Sequence, residues 1–300
     1  MIINTTLACG SRKYAEYVQL LTQRYPQYIE LCPIGRSVWG APLYALHLGH
    51  GDTRCLMTAA HHGLEWITSL LVLHFAEVVC AHAQAKKPLL DYDVEYLLRT
   101  RTCCIVPMVN PDGVDIALRR IPTEHLQAIT ALCPWEELPQ RWQANAHGVD
   151  LNHNYPAAWE EGQALEQKYG ITGPGPTRYG GQQAESEPET CALMELTRSL
   201  RPARVVAYHS QGEVIYDDFQ GYRPRGTQQL TQMFCSVTGY TPDQVQGIAA
   251  ARGYKDWFIR EFDRPGFTVE VGHGTNPLPI RQFEEIFHKN LEMMLMAWLL

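Results

Sequence analysis

Residues 59–66 read AAHHGLEW, and the interpretation of the whole chain starts from this stretch. It completes an apolar run, RCLMTAA, that is typical of a buried strand. His62 and Glu65 are three residues apart, so a single turn places both side chains on the same side. Imidazole and carboxylate are both good Zn²⁺ ligands, but two protein ligands do not hold a catalytic zinc ion. A third ligand is therefore expected from the end of another strand.

A second stretch, VVAYHSQ, offers that ligand, because His209 is the first metal-competent side chain after a buried apolar strand. Three protein ligands leave one coordination position open for water, as a hydrolytic zinc site requires. A base is also needed, and Glu270 lies alone within the apolar strand FTVEVG, where a buried acid needs a partner or a function. Each feature has an ordinary alternative: a chance HxxE, a hydrogen-bonded histidine at a strand end, or an acid on a solvated face.

Composition fits an ordinary globular protein of 300 residues, 45% hydrophobic and 19% charged, with room for one large domain or two small ones. A net charge of −7 without a basic stripe argues against nucleic acid as a partner. No signal peptide or lipidation motif is found, and the apolar C-terminal run MMLMAWLL is too short to span a bilayer, so no membrane partner is expected. Nine cysteines without a CxxC motif indicate reduced thiols and a cytoplasmic protein.

The order of predicted elements indicates an α/β fold. Short apolar runs bounded by Gly, Pro and Asp predict strands, and amphipathic or long apolar runs between them predict helices. The runs CCIVPMVN, ARVVAYHS and GFTVEVG are nearly continuous in apolar residues, as strands buried on both faces are. Residues 111–185 lack such periodicity, and so long an irregular region in a compact domain is usually functional. We predict a single domain over residues 1–300 with a mostly parallel or mixed sheet.

Flanking sequence adds a resemblance to the zinc metallocarboxypeptidase family related to carboxypeptidase A, carried in order by HHGLEW, NPDGVD, GVDLNHNYP, AYHSQGE, GYKDWF and FTVEVG. It covers the chain from about residue 30 to the end. The resemblance implies a mixed sheet of about eight strands with helices on both faces, and one Zn²⁺ ion per chain on His62, Glu65 and His209. It also implies that Glu270 is the general base, and that Asp150 accepts a hydrogen bond from His62 and orients its ring.

The same resemblance predicts a changed substrate pocket. Carboxypeptidases of the family have an Asn-Arg pair whose arginine binds the terminal carboxylate of the substrate, whereas this chain has Asn152 and His153. Imidazole offers a weaker, pH-dependent contact than a bidentate guanidinium. The arginine that polarises the scissile carbonyl falls by spacing on Gln143, with Arg141 as a charged alternative, and the choice stays open. The tyrosine that covers the substrate falls near Ile248 and is missing.

Within the family, YHSQGEVIY, GYKDWFI and EVGHGTNPLP are similar to segments of the bacterial γ-D-glutamyl-L-diamino acid endopeptidases, which cut cell-wall peptides. This implies a peptide or muropeptide substrate, which we expect Asn152 and His153 to bind. Glu213 is a further candidate for contact with a diamino-acid ammonium, and a solvated carboxylate is its open alternative. His273 replaces an arginine that is usual in this subgroup, so it is a further substrate-binding candidate. Residues 1–300 contain no LysM domain, propeptide or export signal, which resembles the cytoplasmic members. The oligomeric state stays open.

Three other functions stay open at this point. An ordinary metallocarboxypeptidase would release C-terminal residues, and a deacylase of the aspartoacylase kind shares the zinc motif. The long NPDG…GVDLN region and the TVEVG strand favour a peptidase over the deacylase. A zinc-binding protein without catalysis would commonly lack the acid that Glu270 provides.

Overall fold

The fold is known from a computed structural model that describes residues 1–245 and 247–300, without the side chains of Ile248 and Ala249. The prediction of a missing tyrosine near Ile248 therefore falls outside what is described. Within these residues the chain forms eight strands, which are β1 Ile29–Arg36, β2 Pro42–Leu48, β3 Thr53–Ala59, β4 Arg101–Val106, β5 Arg204–His209, β6 Val214–Tyr216, β7 Thr241–Asp243 and β8 Gly266–Glu270.

Eleven helices lie within the same described part of the chain. They are α1 Ser11–Arg24, α2 Ile67–Gln84, α3 Val94–Thr100, α4 Pro111–Ala117, α5 Thr123–Leu132, α6 Leu138–Arg141, α7 Trp159–Lys168, α8 Pro188–Leu200, α9 Thr227–Thr238, α10 Tyr254–Phe262 and α11 Phe283–Leu299.

The strands form a single mixed sheet in the order β1-β2-β4-β3-β5-β8-β6-β7. β4, β3, β5 and β8 run parallel at its centre, and β1 and β2 extend one edge in antiparallel fashion. At the other edge β6 is antiparallel to β8, and β7 is parallel to β6. The predicted mixed sheet of about eight strands is confirmed. The sequence predicts neither β6 nor β7, because three residues are too few to show an alternating pattern.

Helices cover both faces because the central strands send alternate side chains into two apolar clusters. In β3, Met57 belongs to the larger cluster and Leu56 to the smaller one, and in β5 Val206 and Val205 divide in the same way. The larger cluster includes buried residues of α1, α2 and α11, and the smaller includes those of α8 and α10. Strands buried on both sides need apolar residues at successive positions, which explains their continuous apolar runs.

Helix α2 contains the longest apolar segment, longer than the C-terminal run MMLMAWLL. Residues 63–84 contain an 18-residue window with a mean hydropathy of 1.6, so this segment is long and apolar enough, by composition, to cross a membrane. In this fold 89% of that window is buried, and α2 packs against β3 and α11. A helix that is apolar on all sides is expected where protein surrounds it, so α2 has the composition of a core helix.

Residues 111–185 are more regular than their sequence indicates, because they contain α4 to α7. The NPDG motif begins α4: Pro111 occupies its first turn, and the Asn110 side chain accepts the backbone N–H of Gly113 at 2.9 Å. Short helices give only weak periodicity, which is why the pattern does not reveal them. After α7, residues 169–187 form a loop that leads to α8.

Candidate active site

The candidate site lies where three neighbouring parallel strands end. β3, β5 and β8 end at Ala59, His209 and Glu270, and β5 lies between the other two. Parallel neighbours place their carboxyl ends at the same edge of a sheet, which is where open α/β folds bind ligands. His209 and Glu270 are direct partners in the β5–β8 register. The topology therefore brings together side chains that are far apart in sequence.

The turn after β3 depends on a close backbone approach. The Asn110 amide donates to the carbonyl of His61 at 2.9 Å and so connects this turn to the start of α4. A Cβ atom on Gly63 would lie 2.2 Å from the carbonyl oxygen of Gly113. Any side chain at Gly63 would clash with this backbone, so glycine is needed between the predicted ligands.

His62, Glu65 and His209 converge on a shared space. Nδ1 of His62 lies 2.8 Å from Oε1 of Glu65, and Nδ1 of His209 lies 3.0 Å from Oε2 of the same carboxylate. The two Nδ1 atoms are 3.3 Å apart. Glu65 and His209 are buried and His62 is partly exposed. Two ring nitrogens and both oxygens of one carboxylate thus lie close to one another at this edge of the sheet.

This donor set fits a zinc ion. Two imidazole nitrogens and one carboxylate match the protein ligands of catalytic zinc sites. Two facing ring nitrogens and both oxygens of one carboxylate suit a shared cation better than separate hydrogen bonds. Burial by itself would raise the pKa of the Glu65 carboxyl, but neighbouring His62 and His209 hold it below its usual range. Glu65 is therefore ionised, which is the form that binds a metal.

Asp150 lies on the opposite side of the His62 ring. Nε2 of His62 is 3.3 Å from Oδ1 of Asp150, and Oδ2 of Asp150 accepts the backbone N–H of Arg178 at 2.8 Å. Burial by itself would raise the pKa of Asp150, but His153 and His62 hold it well below its usual range. A charged carboxylate at Nε2 keeps the proton on that nitrogen and leaves Nδ1 free to bind a metal.

We expect Asp150→Asn to weaken zinc binding by about 10–100-fold, because an amide no longer determines which ring nitrogen of His62 is protonated. Competition with a chelating indicator measures this affinity. Asp91→Asn, at an exposed aspartate, is the matched control. An Asp150→Asn protein with the affinity of the control would show that this contact does not support the metal site.

A cavity of about 440 Å³ opens beside His62, and we call it the site cavity. Its wall includes four of the residues predicted for catalysis or substrate binding, namely Gln143, Asn152, His153 and Glu270. The wall also contains residues that the sequence does not single out, among them Tyr169, Arg178, Tyr216, Lys255 and Asp256. Tyr216 ends β6, Lys255 and Asp256 lie at the start of α10 in the GYKDWF segment, and Tyr169 and Arg178 come from the region between α7 and α8.

Glu270 is positioned in this wall by the end of β8. Burial raises the pKa of Glu270 well above its usual range, the Glu65 carboxylate adds to the rise, and His62 opposes it. A carboxyl group with a raised pKa can both accept and return a proton near neutral pH.

Of the two residues considered for the scissile carbonyl, the geometry favours Gln143. Among the residues that the structure describes, the cavity wall contains Gln143 and does not contain Arg141. Arg141 is the last residue of α6, is exposed, and pairs with Glu137 one helical turn earlier. Oε1 of Gln143 accepts a hydrogen bond from the Thr177 hydroxyl, so the amide N–H groups are its remaining donors. Of the two alternatives that the sequence leaves open, we therefore propose Gln143 for this role.

His153 and Asn152 both line the site cavity. His153 is only 7% exposed, and its Nε2 lies 4.0 Å from Oδ2 of Asp150. Burial lowers the pKa of His153, an effect that Asp150 partly opposes. Oδ1 of Asn152 accepts the backbone N–H of Tyr254 at 3.0 Å, which leaves the amide N–H groups for a ligand. Here the pocket offers a buried imidazole where the related carboxypeptidases have a guanidinium.

Glu213 and His273 are placed differently from the expectation. Within the described residues neither belongs to the cavity wall. Glu213 accepts hydrogen bonds from Nζ of Lys289 at 2.7 Å and contacts Nε2 of His273 at 2.9 Å. A carboxylate that already contacts Lys289 and the His273 ring has little capacity for a substrate ammonium. In this fold both lie with Lys289 of α11 outside the cavity wall, and their role in substrate binding stays a prediction.

A buried ion pair connects three segments beside the site cavity. Arg252 is fully buried and donates to Oε1 of Glu166 at 2.7 Å, and the same oxygen accepts the backbone N–H of Gly180 at 2.6 Å. The guanidinium carbon lies 4.9 Å from the ring centre of Trp159. This network joins α7, the loop at Gly180 and the start of α10.

We expect Arg252→Ala to lower the free energy of unfolding by about 3–5 kcal/mol, because Glu166 would remain buried without its cation. Urea denaturation followed by circular dichroism measures this change. Arg225→Ala, at an exposed arginine, is the control and should have little effect. Equal stability of the two variants would show that the ion pair does not hold these segments together.

Comparison with known proteins agrees with this geometry. The sequence profile of the zinc carboxypeptidase family matches residues 14–293. Gamma-D-glutamyl-L-diamino acid endopeptidase 1 of Lysinibacillus sphaericus is 37% identical over 281 residues, which are 93% of this chain and 69% of that protein. Murein peptide amidase A of Escherichia coli strain K12 is 35% identical over 121 residues, 38% of this chain and 38% of that one.

Among solved structures, bovine thrombin-activatable fibrinolysis inhibitor in complex with tick carboxypeptidase inhibitor has a TM-score of 0.76, at 19% identity over 98% of this chain and 97% of that one. At this identity the likeness shows the fold alone. The family profile spans nearly the whole chain, and it does so on a fold that gathers two histidines and a glutamate at one sheet edge. The chain therefore belongs to the zinc carboxypeptidase family and is a zinc metallopeptidase.

Proposed function

We propose that this peptidase hydrolyses the amide bond between the γ-carboxyl group of D-glutamate and an L-diamino acid in murein peptides. The observation that carries the proposal is the 37% identity, over 93% of the chain, to a protein named for that reaction. The murein peptide amidase is a second relative whose name refers to murein peptides. At the position where related carboxypeptidases have the arginine that binds the terminal carboxylate of the substrate, this chain has His153. This difference disfavours the release of C-terminal residues.

The charge of the site cavity supports this substrate class. Peptides of γ-D-glutamate and a diamino acid have carboxylates and an ammonium group close to the scissile bond. The cavity wall has an exposed cation, Arg178, and an acid, Glu270, whereas Lys255 and Asp256 pair with each other. Charged and polar groups at fixed positions give a pocket its specificity.

In the proposed reaction His62, Glu65 and His209 hold one zinc ion per chain. Zinc bound there would supply Lewis acidity to the amide carbonyl and to the attacking water. Glu270 takes the proton of the attacking water and returns it to the leaving amine. The amide N–H groups of Gln143 donate to the oxygen on which negative charge develops.

The test compares three substrates under the same conditions: the tripeptide L-Ala-γ-D-Glu-meso-diaminopimelate, N-blocked C-terminal dipeptides, and an N-acyl amino acid for deacylase activity. We expect release of diaminopimelate from the tripeptide, measured by mass spectrometry, with loss on chelation and recovery on addition of zinc. Release from the dipeptides alone would identify a carboxypeptidase, and release from the acyl amino acid alone would identify a deacylase. Either outcome would contradict the proposal.

We further propose that the protein works in the cytoplasm, on soluble muropeptides. Support comes from the cysteines, because all nine thiols are unpaired and six of them are buried. Fractionation of the source cells with an antibody tests this location. Recovery in an extracytoplasmic fraction would contradict it.

A further inference from the structure

Arg178 is a cation in the wall of the site cavity that the reaction described above does not use. It is exposed, and none of the ion pairs formed by the described residues includes it. The other cation of the wall, Lys255, is buried and is held by the Asp256 carboxylate and by the carbonyl of Asp218. The guanidinium of Arg178 is therefore the positive group of the cavity that is available to a ligand.

The backbone around Arg178 is fixed to the support of the metal site. Its N–H donates to Oδ2 of Asp150 at 2.8 Å, and the N–H of Asp150 donates to the carbonyl of Tyr179 at 2.7 Å. Because Asp150 also contacts His62, this loop has a defined position relative to the predicted zinc ligands. A positioned loop orients a substrate group with little loss of conformational freedom on binding.

The conformation of Arg178 itself is unusual. Its φ angle is +69°, in the left-handed region that residues other than glycine rarely adopt. Such a conformation persists where the surrounding contacts determine it. The preceding residue, Thr177, holds the side chain of Gln143, so one short loop contacts both Gln143 and Asp150.

We propose that Arg178 is a specificity-determining residue that binds a carboxylate of the substrate beside the scissile bond. The guanidinium forms two parallel hydrogen bonds to a carboxylate, which neither His153 nor Gln143 can do. The positive charge that is missing at those two positions is thereby supplied from a different segment of the chain. The identity of the peptide, though not the role of Arg178, rests on the proposed function.

The test measures kcat/KM for the murein tripeptide and for two analogues. In one the α-carboxyl group of the D-glutamyl residue is a carboxamide, and in the other the carboxyl groups of diaminopimelate are carboxamides. We expect Arg178→Gln to lower kcat/KM for the parent peptide by about 10–100-fold, and to have little effect on the analogue that lacks the recognised carboxylate. The kcat/KM of Arg178→Lys should lie between those of the wild type and Arg178→Gln, because lysine keeps the positive charge and loses the two parallel hydrogen bonds of the guanidinium.

The matched control is Arg201→Gln, because Arg201 is also exposed and left-handed, with a φ of +47°, but lies at the end of α8. Both variants keep the backbone N–H that residue 178 donates to Asp150. An Arg178→Gln enzyme with unchanged kcat/KM on all three peptides would overturn the proposal. An equal loss on all three would do so too, because it would indicate general damage to the site.

The proposed function is judged separately, on the wild-type enzyme. If that enzyme cleaves the blocked dipeptides and leaves the tripeptide intact, the murein proposal fails. Arg178 is then tested by titration calorimetry on the Glu270→Gln protein, with a blocked dipeptide and its C-terminal amide. When the Arg178→Gln substitution is introduced into this protein, binding of the dipeptide with a free C-terminal carboxylate must weaken. Binding of its C-terminal amide must stay the same. Any other result overturns the role of Arg178.

Discussion

The Glu270→Gln enzyme is expected to lose about 10²–10⁴-fold in kcat/KM while its zinc content stays at the wild-type level. Glutamine has nearly the same shape as glutamate, so the wall of the site cavity keeps its form. It cannot accept the proton of the attacking water at neutral pH, and the reaction loses its base. The candidate metal ligands His62, Glu65 and His209 are unchanged, which is why metal binding should persist.

Two measurements on the same preparation test this expectation: kcat/KM on the cleaved peptide, and zinc content by elemental analysis after gel filtration. Glu261→Gln, at an exposed glutamate of α10, is the control and should behave as the wild type. Persistent activity would mean that another group is the base. Loss of zinc together with activity would mean that Glu270 supports the metal and that the two functions cannot be separated there.

Glu65→Gln and His209→Ala are expected to abolish both stoichiometric zinc binding and hydrolysis. Each removes one of three protein ligands from a site where Nδ1 of His209 lies 3.0 Å from the Glu65 carboxylate. For the wild type, zinc at 100 times its Kd should stabilise the fold by about 2.7 kcal/mol, because the ion binds the folded state. The two variants should show almost no stabilisation.

Thermal unfolding of chelator-treated protein, with and without added zinc, measures this difference. His50→Ala, at an exposed histidine, is the control and should keep the full zinc response. A variant that keeps the wild-type zinc response and activity would show that its residue is not a ligand. Recovery of activity on zinc addition is expected for the treated wild type alone.

The sequence alone was sufficient to predict the central strands and the candidate functional residues at their ends. Buried parallel strands need apolar residues on both faces, so β4, β5 and β8 appear as continuous apolar runs. A metal-competent side chain that directly follows such a run is visible without coordinates, as His209 shows. The HxxE spacing is equally local, since one turn brings His62 and Glu65 together.

Other residues of the cavity could not be predicted, because their positions depend on contacts between distant segments. The choice between Gln143 and Arg141 depends on where α6 ends and on the hydrogen bond from Thr177, more than thirty residues later. From the sequence Glu213 is available to a substrate, but in the fold its carboxylate forms an ion pair with Lys289 and contacts the His273 ring.

The sequence by itself thus determined the sheet centre and the candidate metal ligands, because both follow from periodicity and spacing over a few residues. Only the tertiary structure decided which charges face the substrate. Arg178 lies in a loop with no motif of its own, and it reaches the site cavity because its backbone is hydrogen-bonded to Asp150. Long-range pairing of this kind leaves no periodic pattern in the sequence, since its partners lie on separate segments that only the sheet topology brings together.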